Sequence, residues 1–408
     1  MAERRAPSAF IPKHRADYSI SVIVLILIAI GLIMIYSTGW ITILKQTGGS
    51  VERNSFFFNQ LISFGLGIAG WIIGARVRYT FWQKYASLFF YGSALLMVLV
   101  VIPGIGVTIN GANRWVHFGP INFQPVEFFK LGIILFFAAW IEKNREKLNR
   151  PIEGLLPMLL ILSASLFVVV LLQKDMGSAI VIASAVLGMY FISGVDLKIF
   201  GIAIASLFGG GILLVATSRY RLARYITFLN RGDDSSGAGY HINQALIALG
   251  SGGFFGRGLG KSLQAYGYLP EATNDSIFAI IGEEFGFVGC LVIIGLYVGL
   301  LWRGYKIISR APDEYAKLVA TGIIIWIVFQ AFFNIAAMGG IIPLTGIPLP
   351  FISYGGTSLL ALLIAVGILQ NISKYTKGAD LDVDRGLRRG NRRAHRANSG
   401  RRRRPAAV

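Results

Sequence analysis

Long apolar runs alternate with short polar segments along the whole chain. Ten runs stand out, at residues 18–38, 56–75, 86–104, 126–141, 155–172, 177–195, 199–217, 276–302, 318–340 and 352–373. An apolar stretch of roughly 18 residues or more with few charges has the length that crosses a bilayer core as a helix. The pattern therefore predicts an all-α integral membrane protein, a polytopic bundle of about ten transmembrane helices. The first run has no small-residue cleavage pattern at its end and is followed by further spans, which argues against a signal peptide.

Basic residues orient the bundle. With the N-terminus inside, the inner segments carry Arg4, Arg5, Lys13 and Arg15, then Arg76, Arg78 and Lys84, then Lys143, Arg145, Lys147 and Arg150, then Lys198, then Arg303, Lys306, Arg310 and Lys317. The short outer segments carry far fewer, namely Lys45, Arg53, Arg114 and Lys174. This bias places both termini in the cytoplasm. One connection is long: residues 218–275, between the seventh and eighth runs, on the outer side. It is basic, but long loops are exempt from the charge rule. A loop of this length is usually functional or disordered. An amphipathic stretch at 239–249, followed by Phe254, Phe255, Leu259 and Leu263, argues for order. The expected organisation is a basic cytoplasmic tail (1–17), a ten-span membrane domain (18–375, with 218–275 as its large outer loop) and an Arg-rich, disordered cytoplasmic tail (376–408).

Composition agrees with membrane residence. Of 408 residues, 54% are hydrophobic and only 14% charged, against about a quarter charged in a soluble domain. The net charge of +19 would suggest nucleic acid in a soluble protein. Here residues 374–404 alone hold twelve Lys or Arg, with no aromatic platform for bases. Contact with anionic lipid is the expected role of that tail, and no nucleic-acid partner is expected. The single cysteine, Cys290, lies in an apolar run and can form no intramolecular disulfide. His117 and His241 are far apart with no Cys partners, so no metal site is expected.

Charges at membrane depth need a reason. Asp275 sits where the long loop meets the eighth run, at the outer mouth of the bundle. Desolvation there suits a general base, while nearness to a helix start suits an N-terminal cap. Glu283 is turned by about 80° and Glu284 by about 180° from Asp275 if the helix is continuous. Glu283 is thus the better candidate for the same cavity face, or else a structural ion pair. Glu127 and Lys130 are spaced i, i+3 and can pair with each other. Arg114 adds a cation, and two cations beside a carboxylate make a clamp for a pyrophosphate. Three prolines and three glycines among residues 343–358 rule out continuous helix and predict a cavity-lining loop. Residues 252–260 are glycine-rich but contain no strict G-x-G-x-x-G, so they are not read as a nucleotide loop.

Several stretches together resemble the SEDS (FtsW/RodA/SpoVE) family, the shape, elongation, division and sporulation proteins. They are residues 111–115, 124–130, Gln173-Lys174-Asp175-Met176-Gly177-Ser178, Tyr220-Arg221-Leu222-Ala223-Arg224, Gly239-Tyr240, 258–262, 268–275 with 277–286, and 348–358. Residues 258–264 followed by Tyr268-Leu269-Pro270-Glu271 look most like the division branch, with the elongation and sporulation branches as alternatives. The resemblance implies a peptidoglycan glycosyltransferase. Such a protein polymerises lipid II, the undecaprenyl-pyrophosphate-linked disaccharide peptide, at the outer face of the bacterial cytoplasmic membrane, here at the division septum. It implies a class B penicillin-binding protein, a transpeptidase, as partner, alongside other divisome proteins. Asp275 matches the family's proposed catalytic aspartate. Arg114, Glu127, Lys130, Arg221 and Arg224 match positions tied to substrate handling, and Glu271, Glu283 and Ser353 complete the candidate substrate-binding set. A divalent cation, Mg or Mn, could assist at the pyrophosphate, although the sequence carries no dedicated site. The chain departs from the family at Thr273-Asn274, often His-Thr, and at Gln173-Lys174-Asp175, commonly Gln-Pro-Asp. A lipid flippase is the alternative function.

Overall fold

A computed structural model describes residues 16–47, 55–100, 102, 106–109, 112–118, 121–229 and 237–376. Most of both predicted tails lies outside these residues. Each predicted run is a helix: α1 (Tyr18–Thr47), α2 (Ser55–Arg76), α4 (Ala86–Leu99), α5 (Pro125–Lys143), α6 (Leu156–Phe167), α7 (Met176–Ile192), α8 (Leu197–Ala216), α11 (Ile277–Ser309), α12 (Glu314–Met338) and α13 (Gly356–Ser373). A short α3 (Tyr79–Lys84) joins α2 to α4, and the long loop contributes α9 (Arg219–Leu229) and α10 (Gly237–Ser251). Among the described residues, seven helices are long and apolar enough to cross a membrane. Of the other three, α4 and α7 are shorter, and α5 carries Glu127, Lys130, Glu142 and Lys143.

The bundle has a definite inside. In α12 and α13 most side chains are buried, whereas 6% of α8 is. The apolar side chains of α8, such as Phe208 and Leu213, therefore face outward, as lipid contact requires. Helix α2 approaches α13 closely because Gly67, Gly70 and Gly74 face it. A Cβ on Gly74 would lie 2.8 Å from the Ile364 carbonyl oxygen. Small residues that let helix backbones approach are a common packing device in membranes.

Two features differ from the expected pattern. First, β1 (Gly106–Ile109), β2 (Ala112–Phe118) and β3 (Ile121–Phe123) form a three-stranded antiparallel sheet. Trp115 pairs with Val107, and Val116 with both Gly106 and Phe123.

Second, α11 is broken at Gly286, where φ is 67° and ψ −162°, a conformation essentially reserved for glycine. The glycine-rich stretch packs its backbone into the break. The Arg257 and Gly258 amides donate to the Glu283 and Glu284 carbonyls, and Phe287 and Val288 donate to the Gly253 and Phe254 carbonyls. Broken helix is tolerated at membrane depth because this wedge supplies the missing partners. The approach excludes side chains: a Cβ on Gly256 (φ +78°) would lie 2.1 Å from the Glu284 carbonyl oxygen. Gly256→Ala is expected to cost about 1–3 kcal/mol, through strain and wedge displacement. Thermal melting of the detergent-solubilised protein checks it, and an unchanged midpoint would refute the wedge.

Candidate active site

A cavity of about 1910 Å³ opens at one end of the bundle. Its wall comes from the first turns of α2, α5, α7 and α13 and the last turns of α8 and α12. Residues of the sheet, α9, α10 and the irregular segments 270–275 and 343–348 complete it. Arg114, Glu127, Arg221, Glu271 and Asp275 all line it. Lys130, Glu283 and Ser353 are not among the lining residues, and the side chain of Arg224 lies outside the described residues.

Asp275 is half-buried and precedes α11 by two residues. The N-cap of that helix is Ser276, which makes no side-chain cap hydrogen bond. The Ser276 hydroxyl instead donates to the Pro270 carbonyl (2.8 Å), and its oxygen lies 2.6 Å from His241 Nε2 on α10. Asp275 is thus not the capping residue. Its Oδ2 sits beside Gly346, where a Cβ would approach it to 3.2 Å. The rival carboxylate, Glu271, is exposed and accepts a hydrogen bond from Asn274 Nδ2 (2.6 Å).

The backbone before Asp275 is stitched to the proline- and glycine-rich loop. The Tyr354 amide donates to the Thr273 carbonyl (3.0 Å). The Ser353 hydroxyl donates to the Asn274 carbonyl (2.7 Å) and accepts from the Leu349 amide (2.8 Å). Ser353, expected to meet substrate, is therefore occupied in holding the loop.

Glu283 also departs from expectation. It accepts from the Ser262 hydroxyl (2.5 Å) and from the amides of Leu263 (2.9 Å) and Gln264 (3.2 Å). Arg257 lies 3.7 Å away. Asp275 lies outside the helix, so helical rotation does not connect the two residues. Glu283 anchors the wedge that fills the break in α11.

The cations divide. From β2, Arg114 donates to the carbonyls of Gln173 (3.0 Å) and Lys174 (2.5 Å), which pins the guanidinium at the entrance to α7. Asp175 caps that helix, accepting from the Ser178 amide and hydroxyl. Lys174 (φ +53°) also lines the cavity, a cation not among the expected ligands. Arg221 lines the cavity with a buried Nη1 that has no hydrogen-bond partner among the described residues. Lys130 lies beneath the surface. Its Nζ is 2.8 Å from Glu127 Oε1 and 3.1 Å from Gln330 Oε1, and both ion-pair side chains are 2% exposed. Glu127 alone of the pair reaches the cavity, and the Ser358 hydroxyl donates to it (3.1 Å). Lys130 thus supports Glu127 rather than facing a ligand. Among the described residues, no group of three or more His, Cys, Asp or Glu is placed to hold a metal ion.

The profile of the FtsW/RodA/SpoVE family, described as cell cycle protein, matches residues 18–378. The chain belongs to this family. Stage V sporulation protein E of Bacillus subtilis (strain 168) is 39% identical over 367 residues, covering 90% of this chain and 99% of that protein. A probable peptidoglycan glycosyltransferase FtsW of Geobacter sp. (strain M18) is 38% identical over 367 residues, covering 89% and 98%. Among solved structures, a chain from a study of how a peptidoglycan synthase complex coordinates polymerization and crosslinking is similar, with a TM-score of 0.71 and 25% identity. The alignment covers 89% of this chain and 99% of that one. RodA of Thermus thermophilus gives a TM-score of 0.62 at 25% identity, covering 89% and 98%. Family membership accounts for the polytopic helical architecture and for the order of the motifs along the chain.

Proposed function

We propose that this chain is a peptidoglycan glycosyltransferase that polymerises lipid II, with Asp275 as general base. The observation that carries the reading is one cavity holding a half-buried carboxylate together with Arg114 and Arg221. Several relatives are named probable peptidoglycan glycosyltransferases, which supports the reaction class. In the reaction, the sugar hydroxyl of the acceptor attacks the anomeric carbon of the donor. Asp275 takes the hydroxyl proton, and the lipid pyrophosphate departs with the bonding electrons. A single displacement inverts the anomeric centre. Pyrophosphate is a good leaving group once its charge is held by cations, so no second carboxylic acid is required.

The cavity draws its lining from one end of the bundle, which favours a polymerase over a flippase, since a flippase needs access from both faces. The basic flanks favour reading that end as the outer one, with both termini in the cytoplasm. The relatives' FtsW naming favours division and a septal location. A class B penicillin-binding protein and other divisome proteins are the expected partners. The neighbour solved as part of a peptidoglycan synthase complex supports a synthase partner.

Arg221 offers the most direct test of the phosphate clamp. Arg221→Ala is expected to weaken binding of undecaprenyl pyrophosphate by about ten- to a hundredfold, the scale of one charge-assisted hydrogen bond. The decisive experiment combines lipid II with the purified chain, with and without its transpeptidase, and reads glycan length on a gel. Wild-type protein that binds lipid II yet forms no glycan in either case would refute the enzyme reading.

A further inference from the structure

We propose that Asn334 is a positioning residue for Asp275, acting with Gly346 to hold the carboxylate at the cavity wall. The proposal rests on Asp275 being the base. Asp275 lies in a turn outside α11, so the helix does not fix its direction. A buried amide bonds this residue directly, beside the Tyr354 and Ser353 bonds that hold the two residues before it. Asn334 Nδ2 donates to the Asp275 carbonyl (2.8 Å) and to the Ile347 carbonyl (2.7 Å). Both of its N–H bonds are used, which also fixes the orientation of the amide. The aspartate turn and the loop that carries Gly346 are thereby tied to one atom.

The clasp is rigid. Asn334 is 2% exposed on α12, one turn beyond Gln330, which shares its face and donates to the Pro348 carbonyl (2.9 Å). Gln330 in turn accepts from Trp326 Nε1 (3.0 Å) and from Lys130 (3.1 Å). The loop so held presents Gly346 with φ +68°, and a Cβ there would lie 3.2 Å from Asp275 Oδ2. An L side chain at this position would be strained and would crowd the carboxylate. Asn334 therefore helps to set the backbone of the base, and Gly346 leaves room for its carboxylate. A general base must lie within about 2.6–3.2 Å of the proton it takes. A misplacement of about 1 Å can cost a hundredfold in rate.

The test uses the full chain with its transpeptidase. Asn334→Ala and Gly346→Ala are each expected to lower kcat by about ten- to a hundredfold, with the Kd for lipid II within twofold of wild type. If Asn334 acts through Asp275, Asn334→Ala adds little further loss to Asp275→Asn. An equal fold-loss in both backgrounds would assign Asn334 a structural role and overturn the proposal, as would a Kd that rises in step with the fall in kcat. Gly346→Ala approaches the carboxylate from the other side and leaves the Asn334 bonds in place, so it decides the matter if Asn334→Ala misfolds. Failure of the parent reading looks different: Asp275→Asn itself would then retain its activity.

Discussion

Asp275→Asn is expected to reduce glycan polymerisation by roughly a hundredfold or more while lipid II binding survives. The substitution keeps the shape of the side chain and removes its capacity to accept a proton. Asn also caps helices about as well as Asp, and the cap of α11 is Ser276 in any case. A folding defect is therefore not expected, and the melting temperature of the variant should match wild type. The measurement is glycan formed from purified lipid II, alongside equilibrium binding of the same lipid. Glu271→Gln provides the contrast. Glu271 is exposed and hydrogen-bonded to Asn274, so its loss should be much milder. Near-normal synthesis by Asp275→Asn would sink the assignment and move attention to Glu271.

The architecture was legible because bilayer thickness imposes a length on every span and the charge pattern marks their ends. The helix at Gly237–Ser251 follows from its amphipathic pattern, and the loop before α13 from its prolines and glycines. The sheet departs from the all-α expectation, although Asn110-Gly111 between two alternating stretches is a strong hairpin signal. The break in α11 had no local sign, since one glycine in an apolar helix is ordinary. What breaks the helix is the wedge of residues 252–258, which the chain brings to it from about 30 positions earlier. The cavity residues came from motifs spread over the whole chain, and their type was readable while their depth was not. Lys130 illustrates this. Its i, i+3 partner was visible in sequence, but Gln330, which completes its coordination from 200 residues away, was not. Asn334 escaped for the same reason: an asparagine in an apolar helix gives no indication of which carbonyls it will clasp.

Lys130→Met is expected to destabilise the protein by about 3–5 kcal/mol, because it leaves Glu127 as an uncompensated buried charge. The two side chains are each 2% exposed and 2.8 Å apart, so neither charge is well hydrated, although Glu127 touches the cavity edge. Lys130 also donates to Gln330, which carries the Pro348 carbonyl. The damage should therefore spread to the loop beside Asp275, and activity should fall with stability. Glu127→Gln alone should also destabilise, since it strands the ammonium. The double variant Glu127→Gln/Lys130→Met separates structure from ligand binding. Replacing both members of a buried pair by neutral groups of similar volume is often neutral or stabilising, so the double variant should melt close to wild type. If Lys130 only supports Glu127, the double variant should also keep most of its affinity for undecaprenyl pyrophosphate, with Arg114 and Arg221 unchanged. Were Lys130 itself a phosphate ligand, stability would return in the double variant but the affinity would stay low. A melting curve and one binding isotherm on the three proteins decide between these, and a stable double variant that has lost the lipid would restore Lys130 to the clamp.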